Sequence, residues 1–201
     1  NNKMVWHDDI ELPKSDLIVL PGGFSYGDYL RCGSMASKSK IMKSVINFAN
    51  TGGMVMGICN GFQILVESGL VPGVLLRNKY LEFICKNVFV KINNKQNTYF
   101  KNVNNNVLEF HIAHNEGNYF CTNDQLKEID DNEQIAINYC NKEGKIEDLF
   151  NPNGSIKNIA GIFNKEKNVL GMMPHPERMI DKSLSGEDGS LFFENLINNL
   201  K

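Results

Sequence analysis

The sequence contains no pair of cysteines at C-x-x-C spacing, a single tryptophan, and no apolar run approaching the roughly 18 residues that a membrane-spanning helix needs. The missing C-x-x-C spacing removes the usual signature of a structural zinc site. Its five cysteines (Cys32, Cys59, Cys85, Cys121 and Cys140) are scattered and odd in number, which does not suit a disulfide framework. Reduced thiols in a cytoplasmic protein are therefore expected. An excess of either charge is missing too: 21 Lys and Arg stand against 23 Asp and Glu, for a net charge of −2. That balance gives no ground for nucleic acid or an anionic membrane as partner. No signal-peptide pattern opens the chain, so Asn153-Gly154-Ser155 is read as a turn and not a glycosylation site.

At 201 residues, 42% hydrophobic and 22% charged, the chain suits one soluble domain spanning 1–201. Residues 16–20 form a short apolar run ending at Pro21-Gly22-Gly23, as in strands buried on both faces of a parallel sheet. Residues 37–50 carry Ile41, Val45, Ile46, Phe48 and Ala49 at helical spacing before Gly52-Gly53. A strand over 54–58 and a helix over 60–68 follow. This alternation predicts an open, mostly parallel, doubly wound α/β sheet. After Glu82 the pattern changes to strands over 83–92, 107–113 and 134–140 without long helices between them, which predicts an antiparallel extension. Residues 156–163 and 168–173 suggest a hairpin, and 189–200 a final helix. Val5-Trp6 is the one hint of a strand before Leu17.

The chemistry concentrates at Gly57-Ile58-Cys59-Asn60-Gly61-Phe62-Gln63. A cysteine at a strand-to-helix corner, with a glycine two residues away on each side, is the thiol form of a nucleophile elbow. Cys59 is the candidate nucleophile, and its place at a helix amino terminus predicts a lowered pKa. Four histidines could serve it: His7, His111, His114 and His175. His175, bracketed by Pro174 and Pro176 just after an apolar run, is fixed at the carboxyl end of a strand, where open α/β sheets bind ligands. Glu177 could orient its imidazole. The Asn60 N–H is one oxyanion donor by elbow geometry, and Gly22 or Gly23 could supply the second.

Each residue also has a plainer reading. Cys59 could be a core cysteine, His175 a rigid turn residue, and Glu177 with Arg178 a solvated charge pair. The 24–31 loop suits a lid or a docking surface. Asp28 and Arg31 there could meet a partner or form an internal salt bridge. His111 could be a satisfied polar group on a strand, and Cys32, Cys85, Cys121 and Cys140 are assigned no role.

Together these motifs resemble the class I, triad-type glutamine amidotransferases: the elbow matches their glutaminase signature, and Pro174-His175-Pro176-Glu177 their distal histidine and glutamate. Two further segments, from Leu20-Pro21-Gly22-Gly23 through Phe24-Ser25-Tyr26-Gly27-Asp28-Tyr29-Leu30-Arg31-Cys32-Gly33, and Ala113-His114-Asn115-Glu116-Gly117-Asn118-Tyr119, are similar to the glutaminases of phosphoribosylformylglycinamidine synthase. The resemblance implies Cys59, His175 and Glu177 as the triad, and Gly23 and Asn60 at the oxyanion hole. It places Gly22, Gln63, His114 and Glu116 at the glutamine pocket.

It further implies L-glutamine as substrate and a synthetase subunit as partner, with room for a small third subunit. No metal or cofactor is implied in this chain; ATP and Mg belong to the synthetase. That partner uses the ammonia to convert formylglycinamide ribonucleotide to formylglycinamidine ribonucleotide. The family also begins with a strand–loop–helix unit of about 25–30 residues ahead of the Val5 segment. Without it a central strand is expected to be absent and its neighbours unpaired, giving a poorly soluble chain.

Three other functions compete. A glutaminase of another pathway is disfavoured by residues 24–33. A stand-alone cysteine hydrolase of the same fold commonly has histidine directly after the elbow cysteine, where this chain has Asn60. A non-catalytic binding subunit would be expected to lose Cys59, His175 or Glu177.

Overall fold

The computed structural model describes residues 1–183 and 186–200. Its seven-stranded sheet has a parallel head of β1 (Leu17–Leu20), β2 (Met54–Ile58) and β9 (Val169–Met172). Past β9 the sheet continues antiparallel through β8 (Ile159–Phe163), β7 (Ile135–Cys140), β4 (Ile84–Ile92) and β5 (Val107–His114). The antiparallel extension and the β8–β9 hairpin thus stand where the apolar patterning put them. Residues 1–16 contain no strand, so Val5-Trp6 is not one; a turn begins at His7.

Helix α1 (Lys40–Asn50) buries Ile41, Met42, Val45 and Ala49, the stripe that the spacing predicted. It starts three residues later than expected, because Ala36–Lys38 form a separate 3-10 turn. Helix α2 (Asn60–Glu67) is buried along nearly its whole length. Its Phe62 ring lies on β9 at Gly171, where an added Cβ would stand 2.1 Å from Phe62 Cδ2. Glycine there lets the helix reach the sheet, and emptying the ring's site would cost about 3–5 kcal/mol. The closing helix α4 (Asp188–Asn199) buries Phe192 and Leu196 against β5.

Two features depart from the sequence reading. Helix α3 (Asn123–Asp131) lies between the strands, started by a capping box in which Thr122 and Gln125 exchange hydrogen bonds. A second, two-stranded sheet pairs β3 (Val74–Leu76) with β6 (Asn118–Phe120). That small sheet matters for function, because β5, the turn after it and β6 together deliver residues 113–117 to the carboxyl edge of the parallel strands.

Candidate active site

Cys59 sits between β2 and α2 with φ +51° and ψ −105°. A non-glycine residue in this region stores about 1–3 kcal/mol of strain, held here by its surroundings. Its N–H donates to the Met172 carbonyl on β9 at 2.8 Å. The flanking glycines are required by the protein itself. A Cβ on Gly57 would lie 2.6 Å from the Gly61 carbonyl oxygen, and one on Gly61 would lie 1.9 Å from the Leu20 carbonyl oxygen. They let helix, elbow and neighbouring strand close on one another.

His175 reaches the same edge from β9. Its backbone N–H donates to the His111 carbonyl on β5 at 2.7 Å, so β5 fixes the histidine between its two prolines. The imidazole is almost fully buried. Nδ1 lies 2.5 Å from Glu177 Oε1, while Nε2 is buried with no hydrogen-bond partner. Because a carboxylate only accepts, the ring proton sits on Nδ1 and Nε2 presents a lone pair. Glu177 pairs with this histidine and makes no ion pair with Arg178 among the described residues.

Gly22 ties the two halves together. A Cβ placed on it would stand 2.6 Å from His175 Cε1 and 3.6 Å from Cys59 Cβ. The Pro21-Gly22-Gly23 turn after β1 therefore lies between the nucleophile and the imidazole. Gly23 has φ +149°, a conformation open to glycine, and nothing stands within 4 Å of where its Cβ would be. The Asn60 N–H, first in α2, acts to lower the pKa of the Cys59 thiol.

The Cys59 thiol is not poised as the sequence suggested. Burial pushes its pKa up to about 12, against the lowering effect of the Asn60 N–H and of Arg178. Its S–H points at the Ala113 carbonyl, 3.7 Å away. At rest Cys59 is a protonated thiol.

The remaining sequence-nominated residues gather around α2. Gln63 is buried with both ends engaged: Nε2 donates to the Glu116 carbonyl at 2.7 Å and Oε1 accepts from Asn60 Nδ2 at 2.9 Å. It ties the helix to the 114–117 segment. His114 is buried, and its Nδ1 lies 3.0 Å from Asn78 Oδ1. Asn78 gives its amide hydrogens to the Glu82 and His114 carbonyls, so its oxygen accepts and His114 Nδ1 is the donor. Burial, aided by His175, lowers the His114 pKa to about 4, leaving a neutral ring with Nε2 unpartnered. Glu116 faces Arg77 at 3.7 Å and, with Asp28, helps to raise the Cys32 pKa. His7, by contrast, bonds Tyr26 at an exposed position remote in role from the triad.

In the 24–31 loop, Arg31 forms a paired contact with Glu67 on α2, at 2.7 and 2.8 Å. Asp28 lies 3.4 Å from Asn60 Nδ2, and Asn60 Oδ1 accepts from the Ser25 N–H. Both charged residues are thus held within this chain. Phe24, Tyr29 and Leu30 remain exposed. Sequence reasoning missed Asn78, the Ala113 carbonyl and Cys32. Nothing local marked the first two, and Cys32 enters only because Asp28 and Glu116 act on its thiol. A cleft of about 550 Å³ lined by Asn93, Asp130, Asn138 and Lys157 shares no residue with the site.

Residues 2–187 match the CobB/CobQ-like glutamine amidotransferase domain. The chain is 80% identical, over its full length and 88% of the relative's, to phosphoribosylformylglycinamidine synthase subunit PurQ of Pelagibacter ubique. It is 51% identical to the PurQ subunit of Synechocystis sp., over 95% of this chain and 86% of that one. Among solved structures it matches a chain of PurLQS from Thermotoga maritima with a TM-score of 0.82 and 39% identity, covering 96% of this chain and 84% of that one. A glutamine amidotransferase from the same organism matches at 15% identity with a TM-score of 0.60, over 94% of this chain and 81% of that one, which shows a shared fold.

Proposed function

Given that the chain belongs to the CobB/CobQ-like glutamine amidotransferase family, we propose that it is the glutaminase subunit of phosphoribosylformylglycinamidine synthase. The observation that carries the reading is the 80% identity along the whole chain to a PurQ subunit. The chain acts as one amidotransferase domain in the cytoplasm, a location supported by its free cysteines. No helix among the described residues is long and apolar enough to cross a membrane.

The triad works as follows. His175 Nε2, with its lone pair free, takes the Cys59 proton as sulfur attacks the side-chain amide carbon of glutamine. Glu177 accepts from Nδ1 and stabilises the imidazolium that forms. The Asn60 and Gly23 N–H groups receive the developing oxyanion. His175 then returns the proton to the departing nitrogen, releasing ammonia and leaving a thioester on Cys59. Water, deprotonated by His175, opens the thioester to glutamate and restores the thiol. Gly22, Gln63, His114 and Glu116 shape the glutamine pocket, Gln63 by holding the 114–117 segment against α2.

The ammonia passes to a synthetase subunit, which uses ATP and Mg to form formylglycinamidine ribonucleotide from formylglycinamide ribonucleotide. The match to a chain of PurLQS supports that partnership and leaves room for a small third subunit. The test is glutamine hydrolysis with and without the synthetase, comparing wild type with Cys59→Ser. Glutamine left intact by the wild-type complex would overturn the reading.

A further inference from the structure

A second thiol–imidazole pair lies outside the triad. Cys85 on β4 is exposed, and its sulfur stands 3.4 Å from Nε2 of His111 on β5. His111 Nδ1 lies 2.9 Å from Asn87 Oδ1, and Asn87 Nδ2 donates to Glu109 Oε1 at 3.1 Å. Register brings the four together: Asn87 is opposite His111, Cys85 opposite Ala113 and Phe89 opposite Glu109, so all four side chains share one face of the ladder.

The hydrogen bonds assign the protons. The Glu109 carboxylate accepts, so Asn87 turns its NH₂ toward it and its oxygen toward His111. An amide oxygen also only accepts, so His111 Nδ1 carries the ring hydrogen. Nε2 is left with a lone pair facing the Cys85 S–H. This is a nucleophile beside a base that a third group orients, the general arrangement of an activated thiol. Burial, with Arg178 and His175 nearby, lowers the His111 pKa, which keeps the ring neutral at rest.

None of the other four thiols combines such an arrangement with an exposed sulfur. Cys59, Cys121 and Cys140 are buried. Cys32 is partly buried, and burial together with Glu116 and Asp28 raises its pKa strongly.

We propose that Cys85 is a thiol–disulfide exchange site for low-molecular-weight disulfides. His111 Nε2 takes the Cys85 proton, and the thiolate attacks one sulfur of the incoming disulfide. A Cys85–S–S–R bond forms as the incoming S–S bond breaks, and the departing thiolate takes the proton from His111. The exchange requires nothing of the glutaminase reading, since neither Cys85 nor His111 takes part in amide hydrolysis.

The test treats the full-length protein with glutathione disulfide and follows labelling by intact-mass and peptide mass spectrometry. The first adduct is expected on Cys85, at a rate about tenfold or more above that of His111→Ala. Cys85→Ser should lose this fast phase. Should His111→Ala fold poorly, Asn87→Leu removes the orienting amide at an exposed position and is expected to slow labelling similarly. A first adduct on any other cysteine would overturn the proposal. So would folded His111→Ala and Asn87→Leu proteins that both label at the wild-type rate.

Discussion

Gly22→Ala should disable catalysis while leaving the fold in place. The new Cβ would stand 2.6 Å from His175 Cε1, 3.3 Å from Nδ1 and 3.6 Å from Cys59 Cβ. Carbon atoms in comfortable contact are about 3.5–4.0 Å apart, so ring and methyl must separate by roughly 1 Å. The imidazole has little freedom to yield. Its backbone is bonded to His111 and bracketed by prolines, and its Nδ1 is bonded to Glu177. A misplacement of about 1 Å in a catalytic group costs on the order of 100-fold, equivalent to about 3 kcal/mol in the barrier. Glutamine turnover by the synthetase complex should therefore fall about 100-fold in kcat.

Gly23→Ala is the matched comparison. Its Cβ would meet nothing within 4 Å, so any loss there comes from backbone strain at φ +149° and from moving the amide. Thermal unfolding of Gly22→Ala should stay within a few degrees of wild type, since the turn is at the surface of the core. Activity within about threefold of wild type would refute the claim that Gly22 sets the imidazole's position.

Other outcomes follow from the same contacts. Glu177→Gln should lower kcat about 100-fold with little change in KM, because the amide can no longer stabilise an imidazolium; steady-state kinetics with the partner present checks this. Asn78→Leu removes four hydrogen bonds around a buried amide and should cost about 3 kcal/mol or more in urea unfolding. Lowering the pH should also destabilise the protein through His114. Its pKa is about 4 when folded, below the ordinary histidine value, so the unfolded chain binds the extra proton first. The native stability is thus intact above about pH 6.5 and falls by roughly 3 kcal/mol as pH drops toward 4. His114→Gln should flatten that part of the unfolding free energy against pH, and an unchanged slope would contradict the assignment. Arg31→Ala, which removes a half-exposed ion pair, should change stability by less than about 1 kcal/mol.

That Cys59, His175 and Glu177 meet at one sheet edge was legible because each carries its own local signature. Two glycines around Cys59 and two prolines around His175 mark backbone constraints that can be read from the neighbouring residues in the chain. The alternation of apolar runs and helical stripes likewise placed β1, α1, β2 and α2. Helix α3 escaped because its apolar positions are few, although Thr122-x-x-Gln125 is a start signal that sequence alone offers. Strands β3 and β6 are only three residues long, too short for alternation to register. Asn78 and Ala113 act across the fold, through partners many positions away, and nothing beside them in the chain announces it. Cys85 was passed over for the same reason, because its partner histidine lies on the neighbouring strand.

The thiol of Cys59 shows where local reasoning reverses sign. A helix amino terminus stabilises a nearby charge by about 0.3–1 kcal/mol, which is less than one pKa unit. Burial can raise a thiol by several units, and here it does, to about 12. At neutral pH such a group is held as the thiol. In the mechanism proposed above the proton accordingly leaves as sulfur attacks. His175 Nε2, buried and without a hydrogen-bond partner, is the acceptor that the proposal gives this proton. The Ala113 carbonyl lies 3.7 Å from the sulfur and accepts its S–H. In the proposed mechanism the S–H turns from that carbonyl toward Nε2. Because Ala113 adjoins the segment that Gln63 and Asn78 anchor, the glutamine pocket and the thiol's resting partner share one piece of chain.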